Sequence, residues 1–265
     1  MSSNLVQSVK RALSILETLA QNRADLGVSD LGRALGLSKS TVHRLLATLE
    51  EGGYVQSSSP GRYALGIKAF EVGSAVLNRM GLRNVALGPM QELADLTRET
   101  VNLALLDGLE IVYIDRIECS EPLRMDLQIG RRVPTHCSAL GKAILAFLDP
   151  QESRDIMRRL SFSRYTARTI TDSEALRREL PVIREQGYSV DDEEYIEGIR
   201  CVAAPLFDYH SRPVAALSVA GPSVRLTPGR IESVAQVLLT ATRSISRGLG
   251  FRDANLNTPG MAGSR

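Results

Sequence analysis

The chain has 265 residues, which suits one large domain or two ordinary ones at roughly 100–200 residues each. Hydrophobic residues make up 43% and charged residues 23%, values that exclude a disordered or fibrous chain. The net charge of +2 is unevenly spread: residues 1–80 hold nine Lys and Arg against six Asp and Glu, whereas residues 81–265 hold 23 against 24, so any polyanion partner is expected at the front.

The longest apolar run, residues 143–148, is far short of the roughly 20 a membrane helix needs, so no membrane partner is expected. The first 20 residues lack the apolar core of a secretory signal. Cys119, Cys137 and Cys201 form no CxxC pair, a sparse odd set that fits a reducing, cytoplasmic location.

Residues 6–21 read as an amphipathic helix with Val9, Leu13, Leu16 and Ala20 on its inward face. Ser29 reads as the N-cap of a short helix to about Leu35, closed by Gly36. Ser38 caps the next helix, which runs to about Glu51 with Val42, Leu45, Leu46 and Leu49 inward. Short strands follow at 54–56 and 62–65 around a Ser-Ser-Ser-Pro-Gly tip, then a helix over 65–77 with Phe70, Gly73, Val76 and Leu77 on one side. A boundary is expected at 78–83.

Beyond it a helix over 85–97 leads to a strand at 100–106, where Val101, Leu103 and Leu105 alternate with Thr100, Asn102 and Ala104. Asp107-Gly108 signals a hairpin with a return strand over 109–117. Met125, Leu127 and Ile129 alternate in a further strand. Helices follow at 138–148, from Asp149-Pro150, and from a Thr171-Asp172-Ser173-Glu174 capping box to about 185. Strands are expected at 202–207 and 213–220, and a last helix from Thr227-Pro228 to about 247. Residues 252–265, rich in Asn, Pro, Gly and Ser, read as a flexible tail.

Residues 29–51 have the layout of a helix-turn-helix, with the hairpin at 54–65 as a wing. A helix fits the major groove of DNA, and the exposed face of the second helix carries Lys39, Ser40, Thr41, His43 and Arg44, donors for phosphates and base edges. Ser38 and the N–H groups at that helix start suit a phosphate, and the wing offers Ser57–Ser59, Arg62 and Tyr63. The same pattern also fits an ordinary helical hairpin in which Lys39 and Arg44 are merely solvated.

The run Leu37-Ser38-Lys39-Ser40-Thr41-Val42-His43-Arg44-Leu45-Leu46, with Gly61-Arg62-Tyr63-Ala64-Leu65-Gly66, resembles the DNA-binding head of IclR-type transcriptional regulators. GRRVPTHCSALGKAIL at 130–145, GYSVDDEEYIEGIRCVAA at 187–204 and residues 216–222 resemble that family's effector domain, so the likeness spans about 7–248. It implies an α+β chain: a winged helix-turn-helix at 1–66, a linker helix at 67–80, a GAF-like α/β effector-binding domain at 81–250 and a flexible 251–265. It also implies a homodimer or homotetramer (a dimer of dimers) on a palindromic double-stranded DNA operator, repressing or activating a carbon-source catabolic operon under control of a small-molecule effector. No cofactor or metal is implied.

The positions that match the family's effector site are Val133, Ser138, Ala139, Leu140, Asp191, Cys201 and Ser218. The start of the helix after Ser138 aims N–H groups outward, which favours a carboxylate ligand, while Val133 and Leu140 supply apolar walls. Ala220 matches a position where a relative carries serine, so one donor is missing. Each residue has a blander reading: Ser138 as a cap only, Cys201 as a small core residue, and Asp191-Asp192-Glu193-Glu194 as a solvated run with one acid inward. Arg131 and Arg132 are more commonly exposed. His136, Cys137 and Cys201 raise the alternative of a thiol or metal enzyme, but neighbouring His136 and Cys137 point oppositely on a strand and no HExxH, GxSxG or P-loop spacing occurs, so a non-enzyme is expected.

Overall fold

The structure, a computed structural model, describes residues 5–22, 24–119, 121 and 128–252, and of residues 74–80 the backbone alone. It divides into two compact units, 1–80 and 81–265. Among the described residues no helix is long and apolar enough to cross a membrane.

The first unit runs α1 (Gln7–Gln21), β1 (Leu26–Gly27), α2 (Val28–Leu35), α3 (Lys39–Glu51), β2 (Val55–Ser59), β3 (Arg62–Leu65) and α4 (Ile67–Met80). Its three strands lie in the order β1-β3-β2, all antiparallel. Ile15, Leu19, Leu31, Val42, Leu46 and Val55 form its buried core. This corrects the face expected for α1. Val9 and Leu13 are more than half exposed and Ala20 is exposed, while Ile15 and Leu19 point inward, because the core meets the helix about one residue away from the periodic stripe. Nor does Ser29 cap α2. The helix starts at Val28, and the Asp30 carboxylate reaches back to accept from the Gly27 N–H at 3.0 Å. Phe70, on the apolar side expected for the helix after the wing, is 61% exposed, and the side chains of Val76 and Leu77 lie outside the described residues.

The second unit runs α5 (Leu82–Thr97), β4 (Thr100–Asp107), β5 (Glu110–Ile117), β6 (Arg132–Pro134), α6 (Ala139–Phe147), α7 (Pro150–Arg159), α8 (Ser173–Gln186), β7 (Ser189–Asp192), β8 (Ile199–Phe207), β9 (Pro213–Pro222) and α9 (Pro228–Gly248). Its six strands form one antiparallel sheet, ordered β6-β5-β4-β9-β8-β7. Helix α6 packs on one face, against Tyr113, Ala104, Ala216, Ala220, Cys201 and Ala203. Helices α5 and α9 cover the other, so Val101, Leu103, Val202, Leu217 and Val219 are fully buried too. The alternation read at 100–106 is therefore not an in-out pattern: Thr100 and Asn102 are buried as deeply as their apolar neighbours.

Several local expectations shift by a residue. The hairpin turn is Gly108-Leu109, with Gly108 at φ +64°, and Asp107 pairs with Glu110. The cap of α8 is Asp172, which accepts from the Ala175 N–H at 2.7 Å, and Glu174 pairs with Arg177 instead. Strands β1, β6 and β7 carry no strand signature in the sequence. Met125 and Leu127, expected in a strand, and residues 253–265, expected as a tail, lie outside the described residues.

Candidate nucleic-acid interface and ligand cavity

Helix α3 follows α2 through a tight turn. Gly36 takes φ +65°, and a Cβ at Gly32 would lie 2.9 Å from the Leu37 carbonyl oxygen, so both positions need glycine for the two helices to close. Ser38 Oγ accepts from the Thr41 N–H at 3.3 Å and lies within 3.1 Å of the Ser40 hydroxyl and 2.9 Å of the Thr41 hydroxyl. Burial of Val42 and Leu46 turns the opposite face outward, where Ser38, Lys39, Ser40, His43 and Arg44 are exposed and Thr41 is half-buried.

The wing residues also make contacts within their own unit. Arg62 Nη1 donates to the Asp25 carbonyl at 3.1 Å and to Asp30 Oδ2 at 3.0 Å, tying the wing to the start of α2. Tyr63 is half-buried against the core. Residues 56–62 of the wing are exposed, Arg62 among them. Arg62→Ala is expected to cost no more than about 1 kcal/mol in urea unfolding of the N-terminal unit, since the pair is about half exposed.

In the second unit, Ser138 Oγ accepts from the Gly141 N–H at 3.2 Å and so caps α6. The first turn of α6, at Ser138, Ala139 and Leu140, faces three neighbouring strands carrying Asp191, Cys201 and Ser218, and these residues line one cavity. The register explains the grouping: Asp191 lies opposite Cys201, Cys201 opposite Ala220, and Ser218 opposite Asn102. Ala220 leaves that sheet position without a hydroxyl. Asn102 Nδ2 reaches Ser218 Oγ at 3.4 Å.

Val133 is the exception among the expected residues. It is fully buried opposite Ile111 in the sheet core and is not part of the cavity lining. Sequence reasoning missed Tyr113 on β5 and Tyr195, Ile196 and Ile199 in and beside the β7–β8 turn. Tyr195, Ile196 and Ile199 are marked only by apolar or aromatic character close to the acidic run, and Tyr113 only by its place in a strand. That turn is held down: Thr166 Oγ1 donates to the Glu193 carbonyl at 2.8 Å, Thr169 Oγ1 to the Glu194 carbonyl at 2.6 Å, and Arg200 Nε to Asp192 Oδ1 at 2.6 Å. The cavity offers about 10 Å³, room for about one water, so a larger ligand requires its lining to yield.

Two acids of the run face inward, not one. Asp191 is 5% exposed and Glu194 6%. Glu194 has a countercharge in Lys142, whose ammonium also reaches Glu179 Oε2 at 2.9 Å. Burial alone would lower the Lys142 pKa, but the two glutamates outweigh it and the ammonium is held above its ordinary range. Among the described residues no cation pairs with Asp191, and the Lys142 charge opposes its shift only from a distance. Burial, reinforced by the Glu194 charge, raises its pKa to about 7, although its Oδ1 accepts from the Glu194 N–H at 2.7 Å.

The candidate catalytic groups are quiet. Burial pushes the Cys137 thiol up to about 12 and the Cys201 thiol well above its usual range, away from reactive thiolate. Burial lowers the His136 pKa; Nε2 lies 3.1 Å from the Ser163 carbonyl oxygen, which makes that nitrogen the donor, and the ring meets Phe162 edge-on at 5.3 Å. Among the described residues no group of three or more His, Cys, Asp and Glu could hold a metal ion.

Comparison with known proteins accords with this geometry. Residues 8–59 match the model of the IclR helix-turn-helix domain, and residues 74–247 match that of the bacterial transcriptional regulator IclR C-terminal domain. The HTH-type transcriptional regulator KdgR of Escherichia coli (strain K12) is 41% identical over 249 residues, covering 94% of each chain. The transcriptional repressor IclR of the same organism is 36% identical over 248 residues, covering 92% of this chain and 90% of that one. Among solved structures, an IclR homolog from Microbacterium hydrocarbonoxydans complexed with 4-hydroxybenzoate is 29% identical and superposes with a TM-score of 0.81, covering 92% of this chain and 99% of that one. With both domain models matched in order and these relatives aligned over nearly their full lengths, the chain belongs to the IclR family of bacterial transcriptional regulators.

Proposed function

We propose that the chain is a ligand-gated repressor of a catabolic operon. It binds a palindromic operator as a homodimer or dimer of dimers, with Ser38, Lys39, Ser40, Thr41, His43 and Arg44 of α3 at the groove. The observation that carries this reading is the two-faced α3, with Val42 and Leu46 sealed in the core and a basic, hydroxyl-rich face left outside. The wing, through Arg62, Tyr63 and its tip, meets the DNA backbone. A small carboxylate is held at Ser138, Ala139 and Leu140, where the α6 N-terminus favours an anion, with Asp191, Cys201, Ser218 and Tyr113 around it. The relative complexed with 4-hydroxybenzoate supports a carboxylate as the ligand. The repressor named among the relatives supports the sense of the regulation.

The test is a titration of DNA from upstream of the chain's own gene and its neighbours. Arg44→Ala and Lys39→Ala should each weaken specific binding by about 1–3 kcal/mol, about 5- to 150-fold, where the side chain reads a base. Where it contacts phosphate, affinity should fall on all sequences and the salt slope should drop by about 1. Unchanged binding and salt slope in both variants would refute the assignment. A saturating effector should shift operator affinity by about 1–3 kcal/mol, the usual size of such coupling.

A further inference from the structure

An anion site lined by a buried aspartate poses a physical problem. Asp191 borders the same small cavity as the first turn of α6 and is 5% exposed. Among the described residues no Lys or Arg lines that cavity, and no salt bridge reaches Asp191. An incoming carboxylate would put two like charges into a few ångströms of poorly solvated space, where both cannot stay ionised. We propose that Asp191 holds the effector as a neutral carboxyl group: binding of a carboxylate takes up one proton from solution, and the Asp191 O–H donates a hydrogen bond to the ligand. This rests on the reading of the cavity as the effector site.

The surrounding groups support the assignment to Asp191. Across the sheet, Cys201 and Tyr113 are held protonated by burial. Ahead of α6, the Cys137 thiol is pushed up to about 12 for the same reason. In the β7–β8 turn, Tyr195 presents a phenol to the cavity and its backbone N–H supports the Asp191 carboxylate. Glu194 is a carboxylate on Lys142, and Glu179 approaches the same ammonium from α8. Arg200, on β8 beside Cys201, is engaged by Asp192 and Glu193 instead. Asp191 is the cavity group that changes charge near neutrality, with its carboxyl raised to about 7 by burial and by Glu194 before any ligand arrives. A ligand anion pushes it higher, so protons are taken up between the free and the bound values.

The test is calorimetry on the full chain with 4-hydroxybenzoate, acetate, pyruvate and gluconate as probes, at pH 6 and pH 8, each in phosphate and in Tris. The two buffers differ in ionisation heat, so the difference in apparent enthalpy counts protons. For any acid that binds, wild type should take up about 0.9 proton at pH 8 and about 0.1 at pH 6, and should bind roughly tenfold more weakly at pH 8. Asp191→Asn, which keeps a neutral group of the same shape, should bind with no proton uptake and with affinity nearly independent of pH. Binding by wild type without proton uptake at pH 8 would overturn the proposal, since Asp191 would then be serving as an ionised acceptor. Persistent uptake in Asp191→Asn would also overturn it, as would a folded Asp191→Asn variant that no longer binds. If wild type binds none of the acids, the acid-site reading itself fails, a separate outcome.

Discussion

Lys142→Met is expected to destabilise the C-terminal unit by roughly 3–5 kcal/mol near pH 8, the cost of stranding a buried charge. The Lys142 side chain is 1% exposed and is the cation within reach of Glu194, whose second oxygen, Oε2, is buried without a hydrogen-bond partner among the described residues. In wild type the Lys142 contribution is fully present below the unfolded-state pKa of about 10.4 and is lost only as pH rises through the higher folded value. The ammonium therefore keeps its charge from pH 5 to 8. In the variant, burial has already raised Glu194 and no cation opposes it, so it protonates readily. The deficit should shrink at pH 5 and grow towards pH 8. Urea unfolding at the two pH values checks this, and equal losses would reject it. Adding Glu194→Gln should recover much of the loss, because the stranded charge is gone. Ligand affinity should fall too, since Glu194 anchors the turn that carries Tyr195 and Ile196 over the cavity.

Gly141→Ala should be nearly as damaging, for a steric reason. A Cβ there would lie 2.3 Å from the Thr135 carbonyl oxygen, 2.6 Å from its Cα and 2.8 Å from its carbonyl carbon. All three atoms are backbone, so no side chain can rotate away, and α6 must lift from the preceding segment. We expect a cost above the usual ~1–3 kcal/mol of overpacking, together with loss of acid binding, because the cap at Ser138 and the cavity wall move with the helix. Gly229→Ala is the matched control. It lies exposed in the first turn of α9, where an added methyl would meet nothing within 4 Å, and should leave stability unchanged or raise it by up to about 1 kcal/mol. Thermal unfolding of the two variants separates these outcomes.

Much of the functional architecture is legible in the chain because it is local. Gly36 and Ser38 mark the turn and the cap of the recognition helix within three residues, and Val42 and Leu46 declare its buried side by their spacing. Ser138 and Asp149-Pro150 announce α6 and α7 in the same way. Helical caps and turns are decided by neighbours in sequence, so sequence suffices to read them.

What the tertiary structure alone decides is long-range. The stripe of α1 predicted Val9 and Leu13 inward, yet Ile15 and Leu19 are buried, because the face a helix buries depends on where its partners stand. That Arg62 bonds to Asp30, 32 residues earlier, cannot be read from the local sequence. In the six-stranded sheet, helices on both faces erase the alternation of β4, so the burial of Asn102 leaves no trace in the pattern. Asp191, Cys201 and Ser218 meet only through the pairing of β7, β8 and β9, and whether an acid in that run is solvated or enclosed follows from this register. Burial is a property of the assembled layers rather than of neighbouring residues, and it is burial that shifts the charge state of an enclosed acid such as Asp191.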